Sequence, residues 1–433
     1  MKPDGHQHHG PVTSGPDGSA LFSYTVAQRR ISHGEGVFLY DHEGRDYLDC
    51  AAGTFNLSLG YANPEIVRVL QEQAADLVHV TTAIQAEPVL QLARELIRVS
   101  PPNLSRVHLK VSGGSTANEC AIRMAQLTTG RRGVISLFRS HHGHTALTTS
   151  VSGDAFRRQS LAVLYPGSLQ VPDPYCFRCF YGQERSSCEL LCVRRMDDFL
   201  TYASSGDVAC VIVEPISGSG GNIVPPDGYF RALREFCDVH GIILVFDEVQ
   251  TGIGRTGRMF AAEYFDVRPD IITTAKGLGG SGAQTAAVLS DDAVAGLMLE
   301  QLSFTSGGNV LAAAAAVKTL EIVSQPSFLK NVRLVGALIM ERITELAARY
   351  RCIGDVRGVG LMIGIEIVDA DGMEHAALTN ELARRAPEHG LLIRTSRFGR
   401  GNVLKIRPPL VISRDEAEVL CDRLAQTFAT VVG

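Results

Sequence analysis

Residues 242–250 read I-I-L-V-F-D-E-V-Q, and residues 271–276 read I-I-T-T-A-K. Both are short apolar runs, rich in β-branched side chains, that stop on a charged residue. Runs of this kind without alternation are strands buried on both faces, as in a parallel sheet covered by helices. Working outward, Val134–Phe138 and Val208–Val213 are similar runs bounded by turns or charge, and Arg106–Val111 reads as a strand. Pro226–His240 is an amphipathic helix, and residues 116–128 follow the Ser112-Gly113-Gly114-Ser115 turn with helical spacing. Strand and helix alternate, so the expected class is α/β with a mostly parallel central sheet.

Upstream, Gly36–Asp49 alternates apolar residues around a D-H-E-G turn and reads as a β-hairpin. Residues 64–77 and 86–98 have helical spacing, and Ala312–Ile322 is expected to begin a long helix. Beyond residue 325 the pattern changes. Val356–Val368 reads as one long strand or a strand pair, and helices are expected at 374–388 and 414–430. Ser413 and Glu416 form a capping box for the last of these. The expected organisation is a flexible lead-in at 1–20, a first part of a small domain at 21–60, a large domain at 61–325 and the rest of the small α+β domain at 326–433.

Composition narrows the function. The chain has 433 residues, 45% hydrophobic and 20% charged, with a net charge of −5. A mildly acidic chain has no global basic field for nucleic acid or an anionic membrane. No stretch approaches the roughly 18 apolar residues of a membrane span. Met1–Gly10 is polar and His-rich without an apolar segment, so no signal peptide and a cytoplasmic location are expected. The 10 cysteines are then expected to be thiols or metal ligands.

Three elements carry chemistry. Asp247 stands at the carboxyl end of a buried strand, where ligands bind in open α/β sheets. Lys276 ends the next such strand and is one of six lysines, at 2, 110, 276, 318, 330 and 405. Partial desolvation there lowers an amine's pKa and frees it as a nucleophile. The Ser112–Thr116 turn offers backbone N–H groups to an anion at a helix N-terminus. Taken singly these are a cap, a snorkelling lysine and a tight turn. Together they match what pyridoxal phosphate requires: a Schiff-base lysine, an acid for the pyridinium nitrogen and a phosphate cup.

Ordered motifs then identify a family. D-E-V-Q-T-G-I-G-R-T-G at 247–257, P-D-I-I-T-T-A-K at 269–276, V-E-P at 213–215, I-V-P-P-D-G-Y at 223–229, T-S-G-G-N at 305–309 and R-P-P-L at 407–410 resemble the class III (ω-type) aminotransferases of pyridoxal-phosphate fold type I. The resemblance runs from Gly36 to the last helix. It implies that Lys276 carries pyridoxal 5'-phosphate and shuttles the proton, and that Asp247 keeps the ring nitrogen protonated. It also implies that Val249 packs on one ring face, that Gln250 reaches the phenolic oxygen and that Gly114 and Ser115 bind the phosphate. Thr305 from a neighbouring subunit completes that phosphate site in the family, which implies a homodimer with shared active sites. Thr54 and Phe55 lie where relatives touch substrate.

The sequence departs from the family in four places. His141 takes the position of the aromatic ring that stacks on the cofactor, either as a plain ring substitute or as an acid or base. The family stretch Q-G-E-G-G reads Ser217-Gly218-Ser219-Gly220-Gly221, which resembles the dialkylglycine decarboxylase branch. Lys405 stands where the substrate-gating arginine is usual, and K-I-R-P-P resembles the phospho-lyase branch. Lys405 and Arg407 are expected on opposite faces of one strand, so that only one faces the pocket. Lastly, Cys176, Cys179, Cys188 and Cys192 lie in an apparent insertion at 172–195, where they either hold a structural zinc or pack as reduced thiols. The implied activity is transfer of an amino group between a primary amine, such as an amino sugar or another specialised metabolite, and a keto or aldehyde acceptor. A lyase on the same cofactor is the alternative. A non-catalytic scaffold fits poorly with retention of Lys276, Asp247 and Gln250.

Overall fold

The apolar runs pair into a seven-stranded sheet in the computed structural model, which describes residues 30–433 apart from residue 82. The expected lead-in at 1–20 and residues 21–29 lie outside the described residues. From one edge the order is Arg106–His108, Ala287–Ser290, Ile271–Thr274, Ile243–Asp247, Val208–Val213, Gly133–Leu137 and Ser168–Val171. The last five are mutually parallel, and Ala287–Ser290 runs antiparallel to both of its neighbours. The first strand stops at His108 rather than Val111, because its partner supplies register only from Arg106 to His108.

Period-two alternation sorts each central strand between two cores. Val211, Val213, Leu244 and Phe246 pack with Leu233, Phe236 and Cys237 of the Tyr229–His240 helix. Cys210, Ile212 and Val245 face the other way, onto Ala117, Ala121 and Ala125 of the Gly114–Thr129 helix. The helix expected from residue 312 spans Val310–Val323 and ends there. Pro326, which lacks the N–H needed to continue a helix, opens a second one, Pro326–Arg349.

The chain ends build a smaller α+β unit. Phe38–Asp41 and Asp46–Asp49 form the expected hairpin, and Leu48 pairs in parallel with Leu391. Ile353–Val359 and Met362–Ile367 are the strand pair, joined by Val403–Ile406. Val37, Leu48 and Cys50 share a core with Ile339, Ile363, Leu404, Ile406 and Phe428. The Ser413–Glu416 capping box is formed, at the start of the Arg414–Val431 helix. No described helix is long and apolar enough to cross a membrane.

Candidate active site

Asp247 follows Phe246 and therefore shares the face of Val245, toward the Gly114–Thr129 helix. It is 3% exposed. Its Oδ2 accepts from Asn118 Nδ2 at 2.7 Å and from His142 Nδ1 at 2.8 Å, and its Oδ1 accepts from Val249 N at 3.2 Å. Asn118 is fixed in turn: its Oδ1 accepts from Thr273 Oγ1 at 2.5 Å, and its Nδ2 also donates to the His142 carbonyl at 2.8 Å. Three donors thus set the plane of one carboxylate at the end of the strand.

Lys276 opens the turn Lys276–Gly279 one strand away. Its φ of +31° lies in the left-handed region, where a residue with a side chain is strained and persists only when its surroundings enforce it. Its Nζ has no hydrogen bond or ion pair with the described residues. Burial holds its ammonium below the usual lysine range, against the pull of Asp247 and Glu214.

The third element is the start of the Gly114–Thr129 helix. First-turn N–H groups have no intrahelical acceptor. Thr116 Oγ1 accepts from the N–H groups that lead into the helix, Ser112 and Gly113, at 3.0 and 3.1 Å, and Gly114 and Ser115 of the first turn line the cavity. Ser115 Oγ accepts from His144 N at 3.0 Å, which leaves its own proton free to donate. A Cβ on Gly114 would come within 2.9 Å of Val249 Cγ1, so only glycine lets the helix start approach that side chain.

These elements meet in one cavity of about 1090 Å³, also lined by His141, Gln250, Thr54, Phe55, Lys405 and Arg407. Gln250 Oε1 and His141 Nδ1 are buried there without a partner among the described residues. Open N–H groups at one end, unpartnered polar atoms on the wall and a lysine near a carboxylate suit a flat, polar, phosphorylated ligand. Pyridoxal phosphate fits that donor set.

The expected stacking residue, His141, donates its backbone N–H to Glu214 at 2.9 Å, and its ring lies 4.8 Å from that of His144. Burial, with Arg157, His144 and Lys276 nearby, holds its pKa down at about 2, so the imidazole is neutral. Glu214 is pushed up to about 7 by burial and by Asp247. Thr54 and Phe55 belong to a turn, residues 52–55, in which all four φ values are positive. Thr305 is exposed and lies outside the cavity lining of its own chain.

The expectation that Lys405 and Arg407 stand on opposite faces is corrected. Residues i and i+2 of a strand share a face. Leu404 and Ile406 enter the small core, whereas Lys405 and Arg407 both line the cavity. Arg407 lies over the Phe55 ring at 4.0 Å. Around Ser219 the structure shows a carboxylate that sequence reasoning missed. Ser219 Oγ donates to Asp154 Oδ2 at 3.4 Å and accepts from Arg157 Nη2 at 3.0 Å, and Arg397 Nε donates to Asp154 Oδ1 at 3.0 Å. Asn118, His142, Asp154, Arg157, Arg394 and Arg397 come from segments with no shared motif. Only the adjacency of His142 to His141 gave any signal.

The insertion at 172–195 packs away from the cavity. Tyr175 and Arg178 both hydrogen-bond Glu366 of the Met362–Ile367 strand. Cys176, Cys179, Cys188 and Cys192 are free thiols, and among the described residues no three or more His, Cys, Asp or Glu are arranged to hold a metal ion.

A mostly parallel sheet with a lysine and a carboxylate at neighbouring strand ends, above a helix-start anion cup, defines a fold type I pyridoxal-phosphate enzyme. The chain belongs to the class-III aminotransferase family, whose model matches residues 23–428. Its cofactor is accordingly pyridoxal 5'-phosphate. It is 37% identical over 398 residues to a leucine/methionine racemase of Thermococcus litoralis, covering 91% of this chain and 89% of that one. It is 34% identical over 409 residues to an acetylornithine aminotransferase of Methanothermobacter thermautotrophicus, covering 94% and 95%. Among solved structures it resembles an (S)-enantioselective omega-transaminase from Thermomicrobium roseum, with a TM-score of 0.89 at 28% identity, covering 96% and 97%.

Proposed function

We propose that the protein is an aminotransferase that moves an amino group between a specialised primary amine, such as an amino sugar, and a keto or aldehyde acceptor. The observation that carries this reading is the meeting of Lys276 and Asp247 in one cavity with an open helix start. When bound, pyridoxal phosphate supplies a carbonyl that takes up the amine and an electron sink for the bond broken beside it. Lys276 anchors the cofactor and, with its ammonium destabilised by burial, moves a proton between Nζ and the substrate carbon. Asp247, oriented by Asn118 and His142, holds negative charge at the ring nitrogen. Gly114 and Ser115 would hold the phosphate, Val249 and His141 would take the two faces of the ring, and Gln250 would meet the phenolic oxygen. Thr54, Phe55 and Lys405 face the substrate. Thr305 serves the phosphate site of a second copy in a homodimer, so a mixture of Lys276→Ala and Thr305→Ala chains regains partial activity. A fully active monomer in sedimentation refutes that sharing.

A screen of amines against carbonyl acceptors tests the reaction. Transamination requires the acceptor and yields a carbonyl product from the amine. Racemisation at the same centre is the second reading, favoured by the identity to the Thermococcus litoralis racemase. It needs no acceptor, leaves the amine intact and exchanges its α-proton with deuterium oxide. Release of phosphate or carbon dioxide without acceptor indicates a lyase.

A further inference from the structure

Two stretches far apart in sequence meet at the cavity wall. One is the loop at 396–400, between the Arg394–Thr395 and Val403–Ile406 strands of the smaller unit. The other is Asp154 with the Ala155–Arg158 helix that it precedes, and Ser219 beside it. Arg157, Ser219, Arg397 and Phe398 all line the cavity.

The base of the loop is fixed. Ser396 is 1% exposed, its carbonyl accepts from Gly401 N at 3.3 Å, and its Oγ accepts from Val403 N at 3.2 Å. The tip is held differently. Arg397 and Phe398 have φ of +49° and +52°, and successive residues with side chains persist in the left-handed region only where their surroundings enforce it. No apolar core does so, because Phe398 is 69% exposed. A ring that lines the cavity and is this exposed stands where the cavity meets solvent. What holds the tip comes from the other stretch. Arg397 donates from Nε to Asp154 Oδ1 at 3.0 Å and from its backbone N to the Ser219 carbonyl at 3.2 Å. The Arg157 guanidinium meets the Phe398 ring at 4.7 Å and the Phe156 ring at 5.1 Å, and Arg400 meets Phe156 at 4.9 Å. Asp154 is 2% exposed and stays in place. Ion-pair and cation–π contacts of this kind part without unpacking a core, and parting them releases the backbone strain.

We propose that residues 396–400 are a lid on the active site, latched by Arg397 on Asp154, and that Phe398 on this lid limits the size of the amine that reaches Lys276. The second part rests on the reading of Lys276 as the reacting lysine. Opening parts the tip from Asp154, Ser219 and Arg157 and carries Phe398 off the entrance. Closing returns the ring to Arg157 and fences the reacting amine from water. Asp154 acts through Arg397 and is a positioning residue.

Two measurements on the holoenzyme test this. Trypsin cuts after Arg397 only when that side chain leaves Asp154, so the rate of that cut, located by mass spectrometry, reads the open population. A neutral acceptor holds a guanidinium about half as strongly as a charged one. Asp154→Asn should therefore speed the cut after Arg397 about tenfold, with cuts at arginines outside the lid unchanged. If Asp154→Asn does not fold, Asp154→Ser is read in the same way. The second measurement is the rate at which hydroxylamine and the bulkier O-benzylhydroxylamine change the cofactor absorbance. Phe398→Ala should speed the benzyl reagent about tenfold more than the small one. An unchanged cut after Arg397, or equal acceleration of both reagents, overturns the proposal. A faster cut in a protein whose cofactor absorbance answers neither reagent would refute the reading of Lys276 and leave the lid standing. An absorbance that answers both reagents alike in wild type and Phe398→Ala, with the cut unchanged, would do the reverse.

Discussion

Replacing Asp247 with asparagine exchanges one oxygen for an amide where three donors converge. If the new carbonyl takes the place of Oδ2, it keeps the bonds from Asn118 Nδ2 and His142 Nδ1 at 2.7 and 2.8 Å. The amide nitrogen then faces the Val249 N–H, which Oδ1 now accepts at 3.2 Å, donor against donor. Neutral hydrogen bonds have about half the strength of charge-assisted ones. The fold should lose about 1–3 kcal/mol, a drop in melting temperature of a few degrees. Turnover should suffer more, because the lost charge faces the group in which charge develops. Removing one such preorganised partner costs about 10²–10³ in kcat. Steady-state kinetics beside thermal unfolding separates the two effects. A wild-type kcat would mean that Asp247 only anchors the strand end. A collapse of the fold with no folded, inactive enzyme would mean that its role is structural.

Further outcomes follow from the same geometry. Gly114→Ala places a Cβ 2.9 Å from Val249 Cγ1 and 3.2 Å from its Cγ2, which pushes the valine toward the cavity that it lines. Pyridoxal phosphate should then dissociate about tenfold more readily on dialysis, with a stability loss of about 1–3 kcal/mol. His141 is held at about 2 when folded and takes a proton below its ordinary 6.5 when unfolded. Its contribution is complete above pH 6.5 and is lost as pH falls, by about 1.4 kcal/mol per unit, so His141→Phe should flatten the acid limb of a melting-temperature profile. Glu214 has the opposite sign. Raised from 4.5 to about 7, it stabilises fully below pH 4.5, and that contribution fades as pH rises to 7. Glu214→Gln should remove a decline of up to about 3 kcal/mol over that window.

Sequence and structure agree most closely where one local rule decides. Val208–Val213 and Ile271–Thr274 have the boundaries their apolar runs suggest, and the Ser413–Glu416 box opens the last helix. Asp247, Lys276 and the Gly114 helix start were legible because each ends or begins an element, and elements of a parallel sheet end at a common edge. The partners that hold Asp247 were not legible. Asn118 and His142 are 129 and 105 residues away in sequence, and only the packing of a helix and a loop over one strand end brings them together. The charge balance of the cavity was hidden for the same reason. Ser219 reads as a lost acid until the fold sets Asp154 behind it. Lys405 and Arg407 read as alternatives only while strand periodicity is misapplied. The positive φ of Lys276 has no local sequence cause, since nothing in Ala275-Lys276-Gly277 requires it.

Borohydride reduction of the holoenzyme followed by peptide mapping tests the central claim most directly. Six lysines are available, and Lys405 shares the cavity with Lys276. Pyridoxal phosphate should be fixed to Lys276 alone, and Lys276→Ala should lose the label while Lys405→Ala keeps it. A label on Lys405, or on any other lysine in place of Lys276, would contradict the account.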